Sequence, residues 1–320
     1  MTRAFRHRLE DAAVGFVTFV AQTLPRGLVV RLGGAIGLAF YAFDGPHRRL
    51  AQENLSRAFP TRDAQDIRRT ARSVYAHFGR LLIEILRFST MSAEQVRAAC
   101  EFEGHERVAE AYRGGRGVLF VTGHFGFWEL QAVAEGALFE PIAVVARALD
   151  NPRLHERLER FRTSTGNQVI YRRGGLRRIL RALGENRGVA VLIDQHIQGA
   201  DAVMIDFFGR PAATTTAVAT LALRTKAPVI PVFALPLPGG RYRMIFEHPV
   251  ELPEGDGSDA VRELTQRCTD VLEMYVRRYP ELWLWMHRRW RDAAQPSIPG
   301  MFPVAGPDPA PDDPSPKGQA

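Results

Sequence analysis

Two ionisable side chains stand close together in the stretch VTGHFGFWEL, residues 121–130: His124 and Glu129. Histidine is the side chain whose ordinary pKa lies nearest neutrality. A carboxylate hydrogen-bonded to one ring nitrogen fixes the tautomer and leaves the other nitrogen as a base. Along one continuous helix, five positions amount to a rotation of about 140°, so the two side chains would point apart. They meet if His124 lies in a turn and Glu129 in the first turn of the helix that follows. Gly126 lets the chain turn that tightly. No serine or cysteine adjoins His124, which argues against a covalent intermediate on the protein. The chemistry expected is direct: the imidazole takes a proton from a hydroxyl, and that oxygen attacks an activated carbonyl. Phe125 and Trp128 set apolar bulk beside the polar pair, which suits a substrate that is part polar head and part hydrocarbon. The plainer reading is that His124 caps a helix while Glu129 favours its N-terminal dipole.

The elements that must position these residues are legible around them. GVLFVTG (117–123) reads as a strand that ends just before His124, and sites in open α/β sheets gather beyond the carboxyl ends of strands. GVAVLID (188–194) is a second such run; it ends on Asp194, which serves equally as a turn cap or as part of a site. Further β-branched runs fall at 141–147, 168–172, 227–235 and 242–248, and helical patterns at 126–138, 152–163, 175–186 and 215–226. This alternation predicts an α/β fold with a largely parallel central sheet flanked by helices. The strand runs are apolar throughout, as strands covered on both faces should be. Residues 8–90 read as helical, with Ile67, Val74, Phe78, Leu81, Leu82 and Ile85 at helical spacing in the longest segment. A further helical reading covers 259–290, interrupted at Pro280. The expected organisation is an N-terminal helical, membrane-associated region over 1–98, an α/β core over 99–292 and a Pro-rich tail over 293–320 too poor in apolar residues to order itself.

Composition narrows the partners. The 320 residues carry a formal charge of +7, and every basic residue except Lys226 and Lys317 is arginine. That balance favours anionic partners, and arginine grips phosphate and carboxylate in a bidentate way. No nucleic-acid motif is present and the arginines are spread along the whole chain, which disfavours nucleic acid. Cys100 and Cys268 alone make neither a disulfide framework nor a zinc site, so no metal is expected. The apolar runs 12–25 and 32–43 fall short of the roughly 20 residues that a spanning helix needs. They fit helices that lie on a membrane face, with a single tilted span as the other reading.

GHFGFWEL resembles the HxxxxD/E motif of the lysophospholipid acyltransferase superfamily. The wider chain is similar to the bacterial lipid A biosynthesis acyltransferase family, in five further stretches that fall in order: HRRLAQENLSRAFP (47–60), RALDNPRLHERLERFR (147–162), VLIDQHIQG (191–199), FFGRPAATTTAVATLALRTKAPVIPVF (207–233) and PELWLWMHRRW (280–290). The likeness covers about 26 to 292. It implies an acyltransferase of the kind that moves groups other than aminoacyl groups. The fatty chain would come from acyl carrier protein or coenzyme A, used as thioester donor substrates with no cofactor, and go to a hydroxyl of a membrane glycolipid. A lipid A precursor is the leading acceptor, as part of lipopolysaccharide biosynthesis at the cytoplasmic face of the cell inner membrane. A lysophospholipid or a phosphatidylinositol mannoside is the alternative acceptor, and a catalytically silent lipid- or carrier-binding surface protein is the rival from another class.

Carried over residue by residue, the likeness implies His124 as general base and Glu129 as its partner, with Arg147 on phosphate or head group. Asp194 would help build the site, and Gly126, Gly209, Thr214 and Thr215 would shape its wall. Many superfamily members carry Asp where this chain has Glu129, a departure that points toward the lipid A branch. Amides or side chains near Gly123–Gly126 are the expected donors to a developing oxyanion.

Overall fold

The computed structural model describes residues 3–171 and 175–291; the Pro-rich tail lies outside them. In chain order the helices are α1 (Arg3–Thr23), α2 (Arg26–Phe43), α3 (Gly45–Ala58), α4 (Ala64–Phe88), α5 (Ala93–Ala98), α6 (His105–Arg113), α7 (Trp128–Leu138), α8 (Pro152–Thr163), α9 (Gly175–Gly184), α10 (Ala217–Thr225) and α11 (Ser258–Arg278). The strands are β1 (Cys100–Glu103), β2 (Val118–Thr122), β3 (Ala143–Ala146), β4 (Gln168–Tyr171), β5 (Gly188–Leu192), β6 (Ala202–Asp206), β7 (Pro211–Thr215), β8 (Val229–Pro236) and β9 (Tyr242–Phe246).

Seven strands form one sheet in the order β1-β9-β8-β2-β5-β3-β4. Every neighbouring pair is parallel except β8–β9, which is antiparallel. The expected α/β fold with a largely parallel, helix-flanked sheet is therefore the one observed. β2, the strand before His124, lies between β8 and β5, and all five of its residues are buried, as its unbroken apolar run requires. β6 and β7 stand apart as an antiparallel hairpin. Local chemistry sets several helix starts. Asp63 accepts from the amides of Gln65 and Asp66 at α4, Ser92 and Gln95 form a capping box at α5, and Asn151 caps α8 with Pro152 in its first turn.

The N-terminal helices share the core of the sheet: Leu55, Val74 and Phe88 are in the same buried cluster as Phe120, Phe127 and Trp283. α2 presses on α4 through glycine. A Cβ on Gly37 would lie 2.0 Å from the carbonyl oxygen of Tyr75, and one on Gly33 2.7 Å from that of Gly79, so the two backbones touch where any side chain would hold them apart. The opposite face of α2 carries Leu28, Leu32, Ile36 and Phe40 in solvent, and α1 exposes Phe16 and Phe19. Arg26–Phe43 is long and apolar enough to cross a membrane.

Two expectations need correction. The segment 280–290 is not helical: beyond a single 3-10 turn at Pro280–Leu282 and a bridge from Trp283 to Phe125 it runs as turns and bends, because Pro280 stops α11 and the aromatic residues that follow are drawn into the core. The helical pattern expected over 215–226 begins late: Thr215 still belongs to β7, and α10 starts after Thr216.

Candidate active site

Strand register builds the site. β2 and β5 run in parallel with Thr122 opposite Leu192, and the Ile193 amide donates to the Thr122 carbonyl at 2.9 Å. His124 and Asp194 each lie two residues beyond that matched pair, on strands spaced about 4.8 Å apart. The chain therefore sets the two side chains next to each other across a separation of seventy residues in sequence. His124 Nδ1 lies 2.8 Å from Asp194 Oδ1. The His124 amide donates to Asp194 Oδ2 at 2.7 Å, and Trp283 Nε1 donates to the same oxygen at 2.8 Å. Gly123 makes the approach possible, since a Cβ there would stand 2.9 Å from Asp194 Oδ2.

A carboxylate that takes three donors is acceptor-only, so the ring proton belongs on Nδ1 and Nε2 presents its lone pair outward. Gln195 Nε2 is 3.5 Å from that lone pair. Burial opposes charge on both partners, but their mutual attraction prevails: His124 is raised above its ordinary value, and Asp194 is held far below the usual carboxylate range. The Asp194 side chain is fully enclosed while that of His124 retains 16% exposure, so the dyad meets solvent only through the imidazole.

Glu129 does something else. It forms a bidentate ion pair with Arg162, at 2.7 Å to Nε and 2.5 Å to Nη2, and makes no hydrogen bond to His124 among the described residues. The expected His124–Glu129 hydrogen bond is thus replaced by His124–Asp194. Glu129 does lie in the first turn of α7, but α8 supplies a guanidinium whose fork matches both carboxylate oxygens at once. Burial raises the Glu129 carboxyl, and the facing Arg162 more than reverses it, so Glu129 stays ionised and adds a second negative charge toward His124. Arg162 closes the very segment, 147–162, singled out in the sequence; its end-on position beyond the Asn-Pro cap gave no local sign of the pairing.

The turn between β2 and α7 is tight. Gly126 has φ +58°, and a Cβ there would lie 2.1 Å from the Ala234 carbonyl. Gly126 N donates to Leu282 O at 2.9 Å, Phe127 N to Ala234 O at 3.1 Å and Phe125 N to Gly123 O at 2.7 Å. With the His124 amide on Asp194, all four amides from His124 to Phe127 are committed to protein acceptors, so they are not the expected oxyanion donors. Phe125 is also re-placed: it is fully buried against Phe233 and Tyr275. Only Trp128 keeps its ring beside His124, 5.3 Å between centroids.

The remaining expected residues are scattered. Arg147 lies on the loop after β3, with its Nη2 3.9 Å from Asp150. Gly209 sits in the exposed turn of the β6–β7 hairpin at φ +70°. Thr214 is fully buried on β7 and hydrogen-bonds Arg289, and the Thr215 hydroxyl accepts from the Ala217 amide. Sequence reasoning singled out none of Arg162, Trp283 and His287 as site residues. Trp283 steadies Asp194 directly, and His287 Nε2 lies 3.1 Å from the Asp194 carbonyl oxygen. Asn54 on α3 holds the same segment through the carbonyls of Trp285 and His287. That residues 47–60 and 280–290 both fall among the resembling stretches was the available signal. Among the described residues no group of three or more His, Cys, Asp or Glu stands at metal-binding separation.

The model of the bacterial lipid A biosynthesis acyltransferases matches residues 3–292. The chain belongs to that family. It is an acyltransferase. Lipid A biosynthesis lauroyltransferase of Escherichia coli (strain K12) is 26% identical over 93% of this chain and 95% of its own. Phosphatidylinositol mannoside acyltransferase of Mycolicibacterium smegmatis is 24% identical over 85% of this chain and 88% of its own. Among solved structures, the 1-acyl-sn-glycerophosphate (LPA) acyltransferase PlsC from Thermotoga maritima is similar at a TM-score of 0.36 and 16% identity, covering 79% of this chain and 97% of that one.

Proposed function

We propose that this acyltransferase moves a fatty acyl chain from a thioester, acyl carrier protein or coenzyme A, to a hydroxyl of a lipid A precursor, with His124 as general base. The observation that carries the reading is the 2.8 Å contact between His124 Nδ1 and Asp194 Oδ1, which turns the Nε2 lone pair outward with only the Gln195 amide near it, at 3.5 Å. Nε2 takes the proton of the acceptor hydroxyl as its oxygen bonds to the thioester carbonyl carbon. The carbon–sulfur bond then breaks, and the proton passes from the imidazolium to the leaving thiolate. Asp194 stabilises the imidazolium in between, and Glu129 adds negative charge from the second layer. No acyl-enzyme is needed, since the acceptor oxygen attacks the thioester carbon directly.

The apolar faces of α1 and α2 fit a membrane surface. Leu28, Leu32, Ile36 and Phe40 line one side of α2, whose other side is occupied by α4. A helix with protein on one flank and apolar residues in solvent on the other fits a monotopic seat at the cytoplasmic face of the inner membrane. The net charge of +7 draws the protein toward anionic lipid and an acidic carrier alike. The M. smegmatis relative favours phosphatidylinositol mannoside as the second acceptor to try.

The test is acyl transfer by purified protein with each donor and each acceptor, in wild type and His124→Ala. General-base help is worth about 10²–10⁴-fold, so the variant should lose that factor. It should still fold, because the Asp194 carboxylate retains the residue 124 amide and Trp283. Full activity in His124→Ala refutes the mechanism, and loss of no acyl chain from lipid A in a deletion strain refutes the acceptor.

A further inference from the structure

α3 carries a polar residue where packing alone would call for an apolar one. Its buried stripe is Leu50, Ala51, Asn54, Leu55 and Ala58, the spacing of one helix face. Asn54 is only 1% exposed, and a buried amide is costly unless it is hydrogen-bonded. Asn54 Nδ2 donates to the Trp285 carbonyl at 2.9 Å and to the His287 carbonyl at 2.8 Å. Both acceptors are carbonyl oxygens, so only the NH2 end of the side chain fits between them, one hydrogen to each.

What Asn54 grips is the segment that frames the dyad. Beyond the 3-10 turn and the bridge to Phe125, residues 283–290 have no regular structure of their own. Their placement therefore depends on what they are tied to. Leu282 O accepts from the Gly126 amide at 2.9 Å, and Leu284 N donates to His124 O at 3.1 Å. Trp283 Nε1 donates to Asp194 Oδ2 at 2.8 Å, and His287 Nε2 lies 3.1 Å from the Asp194 carbonyl oxygen. Residues 282–287 thus hold the backbone of the base and both the backbone and the carboxylate of its partner. The two Asn54 bonds fall inside this stretch, and the Phe59 ring, just past α3, packs on Trp285 with centroids 5.9 Å apart.

We infer that Asn54 is a positioning residue for the base: through the Trp285 and His287 carbonyls, the N-terminal helical region holds in place the segment that fixes both His124 and Asp194. The inference rests on the proposed role of His124 as general base. Without the Asn54 amide two carbonyls of buried residues lose a donor. The segment regains partners for them only by leaving α3, and it draws the Trp283 indole off Asp194 as it does so. The His124–Asp194 contact is 2.8 Å, and a misplacement of about 1 Å at a reacting group can cost about 10²-fold in rate.

The experiment is steady-state acyl transfer by the purified full chain, with the donor and acceptor that the wild type turns over. It compares wild type, Asn54→Leu, Asn54→Ser, Asp194→Asn and the double variant Asn54→Leu/Asp194→Asn, each first checked for fold by circular dichroism. Asn54→Leu keeps the bulk and removes the donor, so kcat should fall about 10²-fold with KM unchanged. The acid limb of its pH profile should also move to lower pH, because a loosened Asp194 raises the His124 pKa less. Asn54→Ser, whose hydroxyl can serve one carbonyl, should lose less. Since Asn54 acts through the dyad, the double variant should be scarcely slower than Asp194→Asn, whereas independent defects multiply. Wild-type kcat and acid limb in Asn54→Leu, an effect on KM alone, or multiplying losses in the double variant overturn the inference. Failure of both Asn54 variants to fold overturns it too, since the residue would then serve folding only. The reading beneath it fails separately: full activity in His124→Ala removes the base whatever Asn54 does.

Discussion

Asp194→Asn is the sharpest probe of the dyad, because the replacement keeps shape and changes one atom's chemistry. Asp194 Oδ2 receives two donors, the His124 amide at 2.7 Å and Trp283 Nε1 at 2.8 Å. An asparagine has a single oxygen, and it satisfies both donors only by placing that oxygen there. Its NH2 then faces His124 Nδ1, which must accept, so the ring proton moves to Nε2 and the lone pair needed by the hydroxyl is gone. The variant should lose about 10²–10⁴-fold in kcat/KM, the usual worth of a general base. The pH profile carries a second signature. His124 works as a base only when neutral, so kcat/KM falls as pH drops through its pKa. Burial pulls that pKa down, the Asp194 carboxylate outweighs it, and the net shift is upward from 6.5. The wild-type acid limb should therefore lie above pH 6.5. With the carboxylate gone burial remains, and the limb of the residual activity should move to lower pH. The assay is steady-state transfer from an acyl thioester to a lipid acceptor, with initial rates across the pH range in which the protein stays folded. Activity within about threefold of wild type, with the acid limb in place, would show that Asp194 neither sets the tautomer nor the charge of the base.

Breaking the Glu129–Arg162 pair by Glu129→Gln or Arg162→Met should cost about 3–5 kcal/mol each in urea unfolding, because each leaves a buried charge alone; the double variant should be less destabilised than the sum of the two. In rate assays Glu129→Gln should move the acid limb down by less than Asp194→Asn does, since Glu129 acts on His124 through space only. Gly126→Ala forces a side chain into left-handed backbone and against the Ala234 carbonyl, and should lower stability by at least about 1–3 kcal/mol in thermal or urea denaturation. Replacing Phe16, Phe19 and Phe40, all exposed, by serine should leave the fold intact by circular dichroism and reduce sedimentation with anionic vesicles; undiminished binding would remove α1 and α2 as the membrane seat.

The local elements were legible because their signals are local. Unbroken β-branched runs marked β2, β5 and β8; Asn151-Pro152 marked the start of α8; and a glycine after His124 marked the turn that Gly126 makes at φ +58°. The reading failed at the short strands β1 and β7, whose CEFE and PAATT carry little apolar signal, at β6, whose AVMID is too brief to stand out, and where tryptophans at near-helical spacing proved to lie in buried turns. It also placed His124, Glu129 and Asp194 at strand ends or helix starts, where they are.

What the sequence by itself determined is thus the list of chemical groups and the elements that bear them: a base after β2, an acid after β5, an acid in the first turn of α7, and a family whose ordered motifs name an acyltransferase. Which acid meets the base was decided only by tertiary structure. The spacing of His124 and Glu129 made them look like partners, yet the pairing of β2 with β5 at Thr122 and Leu192 puts Asp194 against the imidazole and leaves Glu129 to Arg162. Hydrogen bonds reach about 3 Å, so partnership depends on the register of neighbouring strands and the packing of α8 on α7, and distance along the chain carries no information about either.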